Sequence, residues 1–394
     1  MIVIQNKEDC CGCTACRSVC PKGCLDMVLD AEGYYYPQVD KDSCIDCHLC
    51  EKVCPIINEV PFDEYTPRAY AVQHSDDKIR KESASGGAFT AIAAKILEMG
   101  GCVYGGAFDE NFQVSHIRVD KLSDLWKLRG SKYVQSDMKD NYNYVQHDLK
   151  DGKYVLFSGT PCQIAGLVRF LRGLYPTDKL FLVDLVFHGI PSPHLWNIFV
   201  GHLKKKYGNL LYASFRNKHF GYAGSTMAMK FEQGKMRYLD RDVQFYKKLF
   251  FDDINSRPSC FKCHFKTVKR ISDFTVFDCW HVNKVSSAMD DDKGATWVIV
   301  QSSKGEKLFD TVKPIIKSIE ASVEQAIELD GKLAISCPEP SPRRAEFFED
   351  AQKLDFEDLL KKYFPMTWKK RIINIVKPLL WKTGIIKMFK RLSS

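Results

Sequence analysis

The chain has 394 residues, 45% of them hydrophobic and 27% charged, which is long enough for more than one globular domain. Its net charge of +8 is concentrated at one end. Ten Lys or Arg and no acidic residue follow Asp358, which leaves 47 basic and 49 acidic side chains before that point. The nearly neutral body argues against a nucleic-acid-binding face, and no run of about eighteen apolar residues predicts a membrane-spanning helix.

Cysteine is frequent, with 16 in the chain and ten of them before residue 55. The first residues, MIVIQNKEDC, lack a basic start followed by an apolar run. We therefore expect no secretory signal and a cytoplasmic protein. In that compartment, clustered cysteines indicate metal binding rather than disulfides.

Two stretches of the N-terminal region share one cysteine spacing, C-x2-C-x2-C-x3-C followed by proline. This spacing is typical of bacterial two-cluster ferredoxins, in which the fourth cysteine of each run binds the other cluster. A zinc site favours two separated pairs instead. We predict one 4Fe–4S cluster on Cys10, Cys13, Cys16 and Cys54, and a second on Cys44, Cys47, Cys50 and Cys20. Cys11 and Cys24 fall outside the pattern, and we expect them to be small buried side chains.

After residue 60 the pattern changes to alternating strands and helices. SASGGAFTAIAAKILEMGG predicts a capped amphipathic helix, and CVYGGAF and QVSHIRV predict short strands. The segment from KYVLFSGTPC to DLVFHGIPSP predicts a strand, a tight turn, a helix and a second strand. This is a βαβ unit, so its two strands should be parallel neighbours.

Ligands of parallel sheets lie beyond the carboxyl ends of the strands. Cys162 follows the first strand of the βαβ unit and His188 follows the second, so we expect both at one edge of the sheet. The alternative is that SGTPC is an ordinary tight turn and His188 a buried, hydrogen-bonded histidine. Order along the chain does not decide between the two.

Cys260 and Cys263 form a two-residue-spaced pair, and Cys279 follows a predicted strand ending at Asp278. Alone, such a pair is half a zinc site or a redox dithiol. Together with Cys162, these residues supply four thiols, enough for a third 4Fe–4S cluster.

Seven segments in order resemble successive blocks of the coenzyme F-420 hydrogenase/dehydrogenase beta subunit family. They are SASGGAFT, RGSKYVQS, SGTPCQIAGL, DLVFHGIPSP, FRNKHFGY, RPSCFKCHFK and ISDFTVFDCW, and they run from about Tyr65 to about Phe348. The resemblance implies a non-covalent FAD with an iron–sulfur cluster beside it, and coenzyme F-420 is a further candidate cofactor. Many bacterial members with this ferredoxin fusion accompany cell-surface polysaccharide genes.

Carried over position by position, the resemblance implies a set of flavin-binding residues. A glycine pair that opens a helix exposes backbone N–H groups to the flavin phosphates, although an ordinary capped helix has the same pattern. The implied residues are Ser83, Ser85, Gly86, Gly87, Thr90, Lys132, Tyr133, Thr160 and Gln163.

The chain departs from the family pattern at two places. Relatives commonly read Cys-His-Gly where this chain has Phe187, His188 and Gly189, and Asp-Phe-Trp-Gly where it has Asp278 to His281. One hypothesis is that Cys279 replaces the lost thiolate as fourth ligand of the third cluster, with His188 as the second choice. The alternative is that this cluster is degenerate.

These features predict an α+β protein. It comprises a small dicluster ferredoxin-like domain (residues 1–60), a larger mixed α/β flavin domain with a partly parallel sheet (61–350) and a helical basic tail (351–394). Clusters transfer single electrons, and a flavin converts them into a hydride. The predicted path therefore runs from a donor, such as a ferredoxin or a hydrogenase-type subunit, through the clusters and FAD to a small-molecule substrate. His188 and Asp278 are the candidate catalytic residues.

Two other functional classes remain open. An electron-transfer adaptor would deliver electrons to a partner enzyme and would hold clusters without a flavin. A cysteine-rich structural protein would hold neither.

The basic tail is rich in Trp, Phe, Ile and Leu and is interrupted by Pro365 and Pro378. It is expected either to lie peripherally on the anionic inner membrane face or to pack its apolar side onto the body. The sequence alone does not separate these alternatives.

Overall fold

The computed structural model describes residues 1–368 except 61 and 63, together with residues 372 and 376. The predicted amphipathic segments beyond residue 368 therefore lie almost entirely outside the described residues. Within the described part, none of the helices is both long and apolar enough to cross a bilayer.

The N-terminal module consists of two short helices and one hairpin. Its elements in chain order are α1 (Ala15–Ser18), β1 (Leu25–Leu29), β2 (Tyr35–Val39) and α2 (Leu49–Lys52). The hairpin is antiparallel, and its turn is fixed by the Asp30 carboxylate, which accepts the backbone N–H groups of Glu32 and Tyr34. Each cysteine run wraps around one helix, so the hairpin separates two similar halves.

The larger domain begins with β3. Its strands are β3 (Arg68–His74), β4 (Cys102–Phe108), β5 (Val114–Val119), β6 (Val155–Ser158), β7 (Leu180–Leu185), β8 (Leu210–Asn217), β9 (Thr226–Phe231), β10 (Phe274–Asp278), β11 (Thr296–Val300) and β12 (Ile316–Ala321). Its helices are α3 (Asp77–Glu82), α4 (Ala88–Glu98), α5 (Asn141–Lys150), α6 (Pro161–Leu171), α7 (Pro193–Tyr207), α8 (Arg241–Phe251), α9 (Ser303–Val312), α10 (Val323–Leu329), α11 (Arg344–Lys353) and α12 (Phe356–Tyr363).

Eight strands form one mixed sheet in the order β12-β3-β11-β10-β7-β6-β4-β5, and β8 and β9 form a separate hairpin. The pairs β4/β6, β6/β7 and β7/β10 are parallel, which confirms the predicted βαβ unit and the mixed α/β fold class. Strand β3 runs in the same direction because β3 and β10 are both antiparallel to β11. The carboxyl ends of β3, β4, β6, β7 and β10 therefore share one edge of the sheet, where ligands of such sheets bind.

Helix α6 connects the module to the sheet. Thr160 and Gln163 form a capping box at its start, and Pro161 occupies its first turn. Gly166 in this helix allows the module to pack closely against it, because a Cβ on residue 166 would lie 2.9 Å from the Cys13 sulfur. The module and the larger domain consequently share one hydrophobic cluster, in which Cys13 and Val53 pack with Leu167.

The described beginning of the tail packs on the body. Phe356, Leu359, Leu360 and Tyr363 of α12 are buried in a hydrophobic cluster with residues of α7 and α8. Arg241 at the start of α8 donates hydrogen bonds to the Leu360 and Phe364 carbonyls. Up to residue 364, the tail therefore turns its apolar side inward.

Candidate functional site

The structure brings together the four thiols predicted to hold the first cluster. Cys16 is buried and packs with Cys54, and the buried Cys13 lies one turn away against α6. Burial raises the pKa of Cys16. A buried thiolate becomes favourable only when a bound positive charge, such as that of iron, compensates it.

The second predicted set lines a cavity of about 380 Å³ that is open to solvent. Its thiols are Cys20, Cys44, Cys47 and Cys50, and Cys24 adds a fifth. The Ile2 backbone N–H donates to the Cys50 sulfur at 3.3 Å, as is expected for a thiolate ligand. Cys47 is exposed, so this set lies at the protein surface.

The two cysteine runs repeat the same backbone conformation. Gly12 and Asp46 precede the second cysteine of each run with φ of 69° and 49°, and Thr14 and His48 follow it with φ of 67° and 58°. Alternating left-handed residues turn successive N–H groups inward and create an anion-binding concavity of the type found at iron–sulfur sites. The backbone of both runs therefore suits an anionic cluster.

A third group of thiols lines a small cavity between the module and the sheet edge. It contains the predicted Cys162, Cys260 and Cys263, and it also contains Cys11. Cys11, Cys162 and Cys260 are buried in one cluster, and Cys263 is half-buried. The three cysteines from distant blocks of the sequence therefore converge.

Neither candidate for the fourth ligand lines this cavity. Cys279 is fully buried in a different hydrophobic cluster with Phe277 and Trp297, and its backbone N–H donates to the Ala295 carbonyl. His188 Nε2 lies 2.5 Å from the Asp253 carboxylate, so its side chain is already paired. The residue beside it, Phe187, faces the cavity instead.

The glycine pair after β3 makes a close approach that only glycine permits. A Cβ on Gly86 would lie 2.3 Å from the Val72 carbonyl oxygen. The Gly86 N–H donates to Thr296 Oγ1 at 2.7 Å, and the Ser85 hydroxyl contacts the same oxygen at 2.8 Å. Gly87, at φ 88°, is the residue from which α4 starts.

A half-buried lysine lies against this glycine turn. Lys218 Nζ donates to the backbone carbonyls of Arg80, Ser85 and Lys293 at 2.5–2.8 Å. Burial lowers its pKa to about 7. Among the other implied flavin residues of this segment, Thr90 is buried on α4, and the Ser83 hydroxyl donates to the Ile79 carbonyl.

Lys132 is half-buried, and desolvation lowers its pKa to about 7. Its ammonium group donates to the carbonyls of Lys127 and Arg129 at 3.0 and 2.9 Å, so it holds a loop together. The neighbouring Tyr133 accepts a hydrogen bond from Arg216 at 3.3 Å.

Asp278 at the end of β10 belongs to a polar network at the same sheet edge. Arg216 donates to both of its oxygens, at 2.8 and 3.1 Å, and the Tyr222 hydroxyl donates to it at 3.0 Å. The Trp280 ring stacks on Tyr222, with centroids 4.4 Å apart, and Arg216 lies 4.6 Å from its centroid. Trp280 remains 41% exposed, which leaves an aromatic face open to solvent beside a fixed carboxylate.

Thr160 and Gln163 link the turn before α6 to the third thiol group. The Thr160 hydroxyl lies 3.1 Å from the Cys162 sulfur. The backbone N–H of Thr160 donates to Gln163 Oε1 at 2.9 Å. Gln163 Nε2 donates to the Ser136 hydroxyl, which also contacts the buried His116. Burial lowers the pKa of His116 to about 4, so this histidine is neutral.

Comparisons with known proteins agree with the resemblance. Residues 69–140 match the family model for the N-terminal part of the coenzyme F420 hydrogenase/dehydrogenase beta subunit, and residues 152–324 match the model for its C terminus. The chain belongs to the coenzyme F420 hydrogenase/dehydrogenase beta subunit family. The matched residues lie in the larger domain and include the turns after β3 and β6 and the Cys260–Cys263 pair.

Twelve chains of solved structures also match. One, from the F420-reducing NiFe hydrogenase complex of Methanosarcina barkeri, is 17% identical and has a TM-score of 0.44. The match covers 70% of this chain and 92% of that chain. No curated protein sequence matches significantly.

The spacing of the cysteines did not reveal Arg257, which connects the module to the family domain. Arg257 is fully buried and donates to the carbonyls of Cys10 and Tyr35 at 2.8 and 2.9 Å and to Gln135 Oε1 at 3.2 Å. Its guanidinium lies 4.3 Å from the Tyr36 ring centroid. In the sequence, Arg257 is distinguished only as the first residue of the RPSC block. The position of a single arginine does not predict which residues it will contact.

Proposed function

We propose that this chain is an iron–sulfur flavoprotein oxidoreductase that passes electrons from a redox donor protein through 4Fe–4S clusters to FAD and an organic substrate. Two clusters are assigned to the ferredoxin-like cysteine runs and one to the group around Cys162. The bound flavin would supply the exchange between single electrons and a hydride. The protein's own residues define the rest of the proposed electron path.

The observation that carries the proposal is a continuous series of thiols from the surface to the sheet edge. Cys50 of the exposed set packs with Cys16 of the buried set in one cluster. Cys13 of the buried set lies with Cys11 and Cys162 in a second cluster. Isolated structural cysteines need no such continuity, whereas a path for single electrons does.

The residues at the sheet edge suit a dinucleotide. The turn at Gly86 and Gly87 packs its backbone tightly against Val72 and Thr296, and the N-terminal end of α4 favours anionic groups. Lys218 donates to the Ser85 carbonyl and to the Arg80 carbonyl, which fixes the position of that turn. We assign the phosphates of FAD to this place, and coenzyme F-420 would compete for the same edge.

The fixed carboxylate of Asp278 is our candidate for proton transfer to the substrate. Arg216 and Tyr222 orient it, and the exposed Trp280 ring offers a stacking surface next to it. His188 is paired with Asp253 and serves as the second candidate. We assign the substrate to cell-surface polysaccharide assembly, on the resemblance to ferredoxin-fused bacterial members.

Anaerobic purification followed by cofactor extraction, iron analysis and visible spectroscopy tests the proposal. We expect FAD and a broad absorption near 400 nm that bleaches on reduction. Cys47→Ser should lower the iron content, whereas the matched control Cys102→Ser should not, because Cys102 lies outside the three sets and bonds to Asp148. Colourless, iron-free wild-type protein would contradict the assignment.

An electron-transfer adaptor is the second candidate, favoured by the family's description as a beta subunit. In that case the chemistry would take place on a partner enzyme. Clusters without a retained flavin in the purified protein would support the adaptor, and hydride exchange between retained FAD and a small molecule would support the enzyme.

A further inference from the structure

The cavity at the junction of the module and the larger domain is lined by four thiols. Cys162 begins α6, Cys260 and Cys263 lie in the loop after α8, and Cys11 comes from the module. Phe187 and Ile190 form apolar walls between them. A 4Fe–4S cluster requires four such ligands around a dry pocket.

Backbone geometry places the Cys10 and Cys11 side chains on opposite sides of the chain. Cys10 is extended, with φ −128° and ψ 113°. Successive side chains of an extended chain point to opposite sides. Cys11 accordingly lines the cavity and packs in one cluster with Cys162 and Cys260, whereas Cys10 does not line the cavity.

The same loop that supplies two of the thiols also holds Cys11 in place. Arg257 donates to the Cys10 carbonyl, and its own carbonyl accepts the Cys260 N–H at 2.9 Å. Gly12 is required at this junction, since a Cβ there would lie 2.4 Å from the Gln135 side chain. The positions of Cys11 and Cys260 are thus fixed relative to each other by buried contacts.

Cys279 lacks these properties. It lies in another hydrophobic cluster and is not among the residues that line the cavity. Three other polar residues, Glu8, Ser259 and His264, line the cavity. Outside its lining, the Cys337 sulfur accepts the Cys263 backbone N–H at 3.3 Å. His264 and Cys337 are therefore the competitors that an experiment must separate from Cys11.

We propose that Cys11 is the fourth protein ligand of a third 4Fe–4S cluster, completing the set of Cys162, Cys260 and Cys263. The proposal rests on the iron–sulfur function proposed above. It makes this cluster a bridge between the module and the larger domain. Because Cys10 and Cys11 are consecutive, a single peptide unit would connect the ligands of two clusters.

The test uses the full chain, purified and reconstituted with iron and sulfide without oxygen. We expect about twelve irons in the wild type and about eight in Cys11→Ala, since the ferredoxin-type sites stay filled. Cys102→Ala is the control, because Cys102 is buried outside the three cysteine groups and its thiol donates to Asp148. It should retain about twelve irons, as should Cys279→Ala, Cys337→Ala and His264→Ala.

Each outcome is decisive. The eight irons left in Cys11→Ala would show that the variant has folded, and its EPR spectrum should lack the signal of one cluster. Twelve irons in Cys11→Ala, or a loss of four in Cys279→Ala, Cys337→Ala or His264→Ala alone, would overturn the assignment of Cys11. Eight irons in the wild type would overturn the third cluster in both proposals but leave the oxidoreductase function with its two module clusters, whereas no iron would refute both proposals.

Discussion

Replacing Arg257 by methionine should weaken the attachment of the N-terminal module to the family domain. The guanidinium is fully buried and satisfies three acceptors, the carbonyls of Cys10 and Tyr35 and the Gln135 side chain. Methionine fills most of the volume but donates no hydrogen bond. Each buried acceptor left unpaired costs roughly 1–3 kcal/mol, and we expect a total loss of about 4 kcal/mol in the free energy of unfolding.

This loss can be measured as a shift in the melting temperature of the cluster-loaded protein. With an unfolding entropy of about 2.1 cal/mol/K per residue, 4 kcal/mol corresponds to a decrease in Tm of about 5 °C for this chain length. The control is Arg17→Met. Arg17 also bridges the two parts, by bonding to the Lys139 carbonyl and Asp140, but its side chain is 36% exposed. An exposed pair contributes at most about 1 kcal/mol, or about 1 °C here.

The comparison of the two arginine variants isolates burial as the cause. Both remove one positive charge and one set of contacts across the same junction. If Arg257→Met melted within about 1 °C of Arg17→Met, the buried guanidinium would not hold the module, and the reasoning would be refuted.

Three further predictions concern the sheet edge. Gly86→Ala places a Cβ 2.3 Å from a backbone carbonyl oxygen and should abolish FAD retention, measured after ultrafiltration; Gly201→Ala, whose Cβ meets nothing within 4 Å, should retain FAD. Because the pKa of buried His116 is lowered to about 4, only unfolded chains take up its proton between pH 6.5 and 4. The free energy of unfolding should therefore fall by about 1.4 kcal/mol per pH unit as the pH drops from 6.5. In thermal unfolding of His116→Gln, the dependence of this free energy on pH should be weaker by that amount. Equal pH dependence in the two proteins would argue against burial of a neutral imidazole. Lys218→Met leaves three loop carbonyls without their donor and should weaken FAD binding about tenfold or more in equilibrium dialysis with iron content unchanged, whereas exposed Lys230→Met should have no effect.

The local pattern of the sequence was enough to predict several features of this protein. The spacing of the two cysteine runs predicted which thiols would converge, because three residues separated by two-residue gaps can wrap only around a nearby centre. Alternation of apolar runs and glycine turns predicted the βαβ unit around α6. The parallel pairing of β6 and β7 followed from chain connectivity, since a crossover helix returns the chain in the same direction.

Contacts between segments far apart in the chain were decided only by the tertiary structure. Cys279 had the right chemistry and a plausible place in the sequence, but the register of β10 places it in a separate hydrophobic cluster. Cys11 looked surplus to its run, yet docking of the module directs it into the cavity with Cys162 and Cys260. Cys162 and Cys260 lie about 150 and 250 residues from Cys11 in the sequence. No sequence spacing predicts their contact, because it depends on how the module and the larger domain pack together. That packing, and the buried Arg257 within it, could be read only from the folded chain.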